Sequence, residues 1–337
     1  MSVGSVLVLL SSLVVSAAFL LLVVLVVWFV DRYDREPLHM VAAVFLWGAA
    51  VAPTATILFF KAVEPVMHGI GIASQSLAGV GIAGPLVEEV AKALGVVLVV
   101  LLTRNFDNPT DGMVYGTAAG LGFAVAENSL YGIGLGATLP FDGQGVLALS
   151  VGRTLFSAGV HAVSSATFGG FLGYALLSRR RSVRVAWAAA GLVAAVVLHG
   201  AWNAALVLVG PFSDLGRLRG WLLVVPIVYG GYLVVLAAFL HSEQRILKRQ
   251  LAEEVALQLA PPWVVDVIPY YRRRVRGDWW PNRAERTVIA RLLTRVAFRK
   301  QALRHLPRNE AAIASLEVVR LRQRLRAILS PLNPADD

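Results

Sequence analysis

The run Val6–Val30, VLVLLSSLVVSAAFLLLVVLVVWFV, contains no charged residue. It exceeds the roughly 18 apolar residues that mark a membrane-spanning helix. No basic segment precedes it, and it is too long for the apolar part of a secretory leader, so it reads as a retained helix. Comparable runs follow at Met40–Phe60 and Gly220–Leu240. Of the 337 residues, 57% are apolar and 15% charged, against roughly a quarter charged in a soluble domain, and mean hydropathy is +0.67. This excludes a soluble enzyme and predicts an all-α, polytopic membrane helix bundle. About seven spans are expected, near 4–30, 38–60, 82–102, 112–136, 151–178, 184–209 and 220–241. The chain has no cysteine, which removes disulfides, thiolate nucleophiles and cysteine metal sites together.

The net charge of +10 is unevenly placed: residues 242–337 hold 19 Lys+Arg against 10 Asp+Glu, leaving 12 against 11 before them. Alternate connections between the spans carry Arg32 and Arg35, then Arg104, then Arg179, Arg180, Arg181 and Arg184, then the basic tail. The opposite set carries Lys61, no basic residue between 137 and 150, then Arg217 and Arg219. By the positive-inside rule the amino terminus lies outside the cell membrane and the carboxyl terminus in the cytosol. Residues 62–81, rich in Gly and Ser, fit an outer loop or a re-entrant segment equally well.

Composition changes after His241, dividing the chain into a transmembrane domain, 1–241, and a basic cytosolic helical tail, 242–337. In Glu285–Leu303 and Ile313–Leu329, apolar residues recur every three or four positions, with arginines on the other faces. Pro307 and Asn309 punctuate the pair. Arginines spread along amphipathic segments suit an anionic lipid headgroup or an acidic cytosolic partner better than nucleic acid.

Ionisable side chains inside a span cost about 2.5–3.5 kcal/mol each to insert, so each marks a functional site by default. Here they are Glu88, Glu89 and Lys92 in the third span, Glu127 in the fourth, His161 in the fifth and His199 in the sixth, with Asn128 and Asn203 beside them. At about 1.5 Å of rise per residue, all four helices place these groups roughly 9–15 Å below the outer surface. One shared layer predicts one cluster, in the outer half of the bundle. Glu88 and Lys92, four apart, share a helix face, so Lys92 can hold one glutamate ionised while the other exchanges protons. His199 and Asn203 project together, and Phe123 lies one turn before Glu127. Gly120, Gly122, Gly132, Gly134, Gly169, Gly170 and Gly173 fit close helix packing. Arg153 reads equally as a snorkelling anchor or a substrate contact.

Two imidazoles and a carboxylate supply the three protein ligands of an open zinc site, with Glu127, His161 and His199 as candidates and Glu88 or Glu89 as the base acting on bound water. Without metal, a glutamate activates water directly while His199 and Asn203 donate to the oxyanion. Both schemes hydrolyse an amide. The chain has no H-E-x-x-H, G-x-G-D or G-x-S-G, and Ser164 and Ser165, three and four residues after His161, have no support as nucleophiles. Two rival classes use the same residues differently: an ion-coupled transporter relaying protons, for which no repeat symmetry is visible, and a scaffold, which leaves the polar layer unexplained.

Glu88–Glu89–Val90–Ala91–Lys92 matches E-E-x-x-K, and Phe123–Ala124–Val125–Ala126–Glu127–Asn128 matches F-x-x-x-E-N. A lone histidine, His161, and then His199–Gly200–Ala201–Trp202–Asn203 follow in order, with Asp107–Asn108–Pro109–Thr110–Asp111–Gly112–Met113–Val114–Tyr115–Gly116 in the connection. Over about residues 30–240 the chain resembles the PrsW family of intramembrane proteases, related to the CAAX prenyl endopeptidases. The resemblance implies cleavage of a membrane-anchored protein, typically a single-span anti-sigma factor, on its extracytoplasmic side. It also implies that Glu88, Glu89, Lys92, Glu127, His161, His199 and Asn203 carry the chemistry, in a bacterial membrane. Asn203 stands where an acidic residue is expected, favouring a hydrogen-bonding role there.

Overall fold

A computed structural model describes residues 3–33, 35–71, 73, 76–103, 106, 108–138, 151–209, 215–306 and 308–329. Arg104, Asp107, Pro307 and the connection 139–150 therefore lie outside the described residues. All regular structure among the described residues is helical. The chain forms two compact units: Met1–Val30, Glu36–Ala175 and Val185–Val235 make the first, and Asp31–Arg35, Leu176–Arg184 and Leu236–Asp337 the second.

The first unit follows from the apolar runs and their punctuation. Helix α1 is Val3–Val30. Helices α2, Leu38–Leu46, and α3, Ala52–Gly69, join through a π-helical turn at Trp47–Val51. A second π turn, Gly79–Ala83, leads into α4, Gly84–Leu102, and a third, Arg153–Ser157, into α6, Ala158–Leu176. Between them runs α5, Pro109–Thr138, and α7 is Arg181–Val209. Pro53 and Pro85 directly follow the π turns, in helices that run through them without a break; each proline lacks an N–H for the preceding turn, which the wider π register accommodates. The Gly/Ser-rich connection is shorter than its composition suggests, because α3 persists to Gly69 and turns at Gly71, whose φ of 76° suits glycine.

Among the described residues, five helical stretches are long and apolar enough to cross a membrane: Leu13–Val30, Leu38–Gly69, Arg153–Leu176, Arg181–Leu208 and Val224–Ala256. The expected spans at 82–102 and 112–136 fall on α4 and α5, which are not among these five. The reason is visible for α4, which carries Glu88, Glu89 and Lys92 within 19 residues. Helix α5 is the inner helix, packed against α1, α2, the first π turn and α4, with residues 110–124 all buried. Outer helices reverse the soluble pattern: Val14, Leu22 and Phe29 of α1 and Val193, Val197 and Leu208 of α7 are exposed. Apolar surface on this scale marks lipid contact.

Glycines let α5 and α6 touch backbone to backbone. A Cβ at Gly112, Gly116 or Gly120 would strike the carbonyl of Gly169, Ser165 or His161 respectively. This four-residue rhythm, running in opposite directions on the two helices, is small-residue packing, and it fixes the backbone that carries His161.

The second unit contains the end of α8, Leu215–Ala256, short helices α9, Val264–Val267, and α10, Tyr271–Arg276, then α11, Arg283–Leu303, and α12, Arg308–Leu329. The amphipathic patterns at 285–303 and 313–329 thus correspond to α11 and α12. Their apolar stripes close a core of Leu247, Leu251, Ile268, Ile289, Leu293 and Leu325. Asn282 caps α11, accepting from the backbone N–H groups of Ala284 and Glu285. Glu254, buried on α8, bridges Lys300 at 2.5 Å and Arg322 at 2.7 Å.

Candidate active site

All seven residues singled out in the sequence meet inside the first unit. On α4, Glu89 and Lys92 pair at 2.6 Å with side chains 1% and 0% exposed. The other Glu89 oxygen accepts from Ser165 Oγ of α6 at 3.1 Å. Lysine therefore takes Glu89 at three residues' distance rather than Glu88 at four. Glu88 keeps 17% of its side chain accessible, and its buried Oε2 has no hydrogen-bond partner among the described residues.

The two imidazoles are arranged alike. His199 Nδ1 lies 2.8 Å from Glu89 Oε1, and its Nε2 faces Asn203 Nδ2 at 3.3 Å and Glu88 Oε2 at 3.7 Å. His161 Nε2 lies 2.7 Å from Glu127 Oε2, and its Nδ1 faces Lys92 Nζ at 3.1 Å. Lysine ammonium only donates and carboxylate only accepts. His161 therefore carries its hydrogen on Nε2 and His199 on Nδ1, each ring giving one N–H to a carboxylate and turning its lone pair inward. The rings meet edge to face with centroids 4.7 Å apart. Phe123 walls the pocket, its centroid 5.4 Å from that of His161 and 4.6 Å from Lys92 Nζ.

Local backbone explains the convergence. Asn203 Nδ2 also reaches the Val80 carbonyl in the second π turn at 3.3 Å, and a Cβ at Gly200 would strike the carbonyl of Gly81. The segment Gly200–Asn203 is thus pressed against the turn that launches α4. Trp47 Nε1, in the first π turn, donates to the Ala91 carbonyl at 2.9 Å. Bulges of this kind recur at functional sites because they redirect side chains and free carbonyls.

A metal fits this donor set. Glu88, His161 and His199 each offer a ligand atom, all within 4.8 Å of one another, and imidazole–carboxylate pairs of the kind seen at both rings orient metal-ligating histidines. Glu127, expected as the third ligand, instead accepts from His161 and pairs with Arg153 Nη2 at 2.8 Å, while the Glu88 oxygen is uncommitted. Three carboxylates against Lys92 and Arg153 also leave one negative charge, which a proton or a bound cation balances. Two partners were not assigned from sequence: Arg153, and Ser165 as donor to Glu89. The signal for Ser165 was its spacing of four from His161, which places both on one face.

Fold and polar cluster define a polytopic membrane protein with a buried carboxylate–imidazole site. Residues 36–240 match the family model described as PrsW family intramembrane metalloprotease. Protease PrsW of Bacillus subtilis (strain 168) is 33% identical over 174 residues, covering 51% of this chain and 72% of that protein. Protease PrsW of Geobacillus kaustophilus (strain HTA426) is 30% identical, covering 51% and 69%, and that of Clostridioides difficile (strain 630) is 28% identical, covering 53% and 71%. The chain belongs to the PrsW family of intramembrane metalloproteases. It is a hydrolase acting on a membrane protein within a lipid environment, and the transporter reading finds no support in these matches. No solved structure matches the chain.

Proposed function

We propose that the chain cuts a peptide bond of a single-span membrane protein, of which an anti-sigma factor is the type, near the extracytoplasmic side, using the cluster around His199. The carrying observation is the pairing of His199 with Glu89 while its Nε2 faces the unpartnered oxygen of Glu88. Glu89 and Lys92 neutralise each other and hold the His199 ring. Without a metal, Glu88 takes the proton of the attacking water and returns it to the leaving amine. Asn203 Nδ2, a donor beside His199 Nε2, stabilises the oxyanion. His161, steadied by Glu127, completes the wall on α6. Glu88, His161 and His199 would hold one zinc ion, His161 giving up its contact with Lys92. Bound there, the metal would acidify water and polarise the scissile carbonyl.

All seven apolar helices cross the membrane in this reading, α4 and α5 included, with the amino terminus outside and the carboxyl terminus in the cytosol. Residues 242–337 form a cytosolic domain whose exposed Arg272, Arg273 and Arg276 meet anionic lipid headgroups. The test is cleavage of a co-expressed single-span protein tagged on both sides of the membrane, combined with elemental analysis of the purified enzyme. Wild type is expected to cut and to hold near-stoichiometric zinc, and the His161→Ala, His199→Ala double variant to lose both. Cleavage by metal-free enzyme would make Glu88 the sole activator of water.

A further inference from the structure

Arg153 begins the third π turn and makes three contacts to α5. Its Nε donates to Asn128 Oδ1 at 3.0 Å, its Nη2 meets Glu127 Oε2 at 2.8 Å, and its guanidinium carbon lies 3.8 Å from the centroid of the Tyr131 ring. Asn128 is itself held: its Nδ2 donates to Ser16 Oγ at 3.2 Å and Thr154 Oγ1 at 3.3 Å, and those hydroxyls lie 2.5 Å apart. Helices α1 and α5 and the π turn thus fix the guanidinium from several sides. An anchoring arginine would instead extend its head to water, yet this side chain is 13% exposed and turned inward. The Glu127 oxygen that it grips is the one that accepts from His161 Nε2.

We infer that Arg153 is a positioning residue: it clamps the Glu127 carboxylate and, through it, sets the ring orientation of His161, whose tautomer Glu127 and Lys92 fix. The planar fork is needed, because one arm holds Asn128 while another holds Glu127, and a lysine offers a single point of charge. This deepens the proposed function and rests on its placing Glu127 and His161 in the site.

The test uses the full chain in lipid nanodiscs with ring-15N-labelled histidine, the His161 signal being identified by its loss in His161→Gln. Wild type is expected to show one neutral tautomer, with hydrogen on Nε2. Arg153→Gln and Arg153→Lys should displace and broaden that signal as the ring loses its fixed orientation, and added guanidinium ion should restore the wild-type signal in Arg153→Ala, which a merely structural defect would not allow. Tyr131→Leu, on an exposed face, removes the ring over the guanidinium and leaves Asn128 and Glu127 in place, so it should move the signal in the same direction by less. Cleavage of the tagged single-span protein should fall about 10- to 100-fold in kcat for Arg153→Lys, the usual cost of losing a group that orients a ligand, with KM unchanged. A His161 signal identical to wild type in the Arg153 variants overturns the inference. A displaced signal, together with a Glu127→Gln enzyme that still cuts at the wild-type rate, upholds Arg153 as the holder of His161 and overturns Glu127 as a participant in the reaction.

Discussion

Glu88 and Glu89 are neighbours in sequence with opposite surroundings. Glu89 is 1% exposed, and its two oxygens are engaged by Lys92, His199 and Ser165. Glu88 is 17% exposed and keeps a buried oxygen without a hydrogen-bond partner among the described residues. Their substitutions should therefore differ in kind. Glu88→Gln is expected to abolish cleavage while shifting stability by less than about 0.5 kcal/mol. Glu89→Gln should abolish cleavage and also destabilise by about 3–5 kcal/mol, since it strands the Lys92 ammonium in the interior. Adding Lys92→Met to Glu89→Gln should then recover part of that stability. Unfolding midpoints beside the cleavage assay check all three, and equal destabilisation by the two Gln variants would remove the distinction. The E-E-x-x-K pattern placed both carboxylates near Lys92. Which of them the lysine takes depends on Ser165 and His199, brought from α6 and α7, and no spacing within α4 encodes that.

At the scale of elements, the decisive contact is α5 against α6. The glycines of both helices are visible in the sequence, but so are glycines that pack against nothing. A Cβ at Gly120 would enter the backbone of His161, whereas one at Gly231 meets none of the described residues within 4 Å. Gly120→Ala should force the helices apart, costing about 1–3 kcal/mol and displacing His161, with loss of cleavage. Gly231→Ala, in α8, should cost nothing and retain full activity. Thermal unfolding of both variants in the same detergent reads the contrast. The π turns belong to this scale too. They follow no hydrophobic period, so the sequence predicted continuous spans where the chain shifts register at Trp47–Val51 and Arg153–Ser157.

For the whole molecule, the proposed orientation can be read directly because the chain has no cysteine. Single cysteines at Leu102 and at Ser178 should react only with reagents that reach the cytosol, and one at Ile70 only with impermeant reagents added outside. Labelling of Leu102→Cys from outside would break the seven-span arrangement. The second unit offers an independent check. Arg32 lies two residues beyond the end of α1 and stands over the Tyr271 ring, 5.6 Å from its centroid, beside the exposed Arg272, Arg273 and Arg276. Enzyme in phosphatidylglycerol nanodiscs should unfold at a higher temperature than in phosphatidylcholine. Changing the three exposed arginines to Gln should erase that difference, and raised salt should shrink it.

The sequence by itself determined the membrane class, the helical fold, the family and the seven polar positions. Hydrophobic length, charge placement and short motifs are local properties that survive without coordinates, and a costly ionisable group inside an apolar run announces itself. The shared depth of Glu88, Glu127, His161 and His199 even implied that they meet, since helices crossing one bilayer share one axis of depth. Tertiary structure alone decided rotation about that axis: Lys92 on Glu89, Glu127 on His161, Glu88 left open, Arg153 turned inward. Each residue along a helix turns by about 100°, so which partners face one another is fixed by the packing of neighbouring helices, where a glycine against a carbonyl sets positions that no single segment contains.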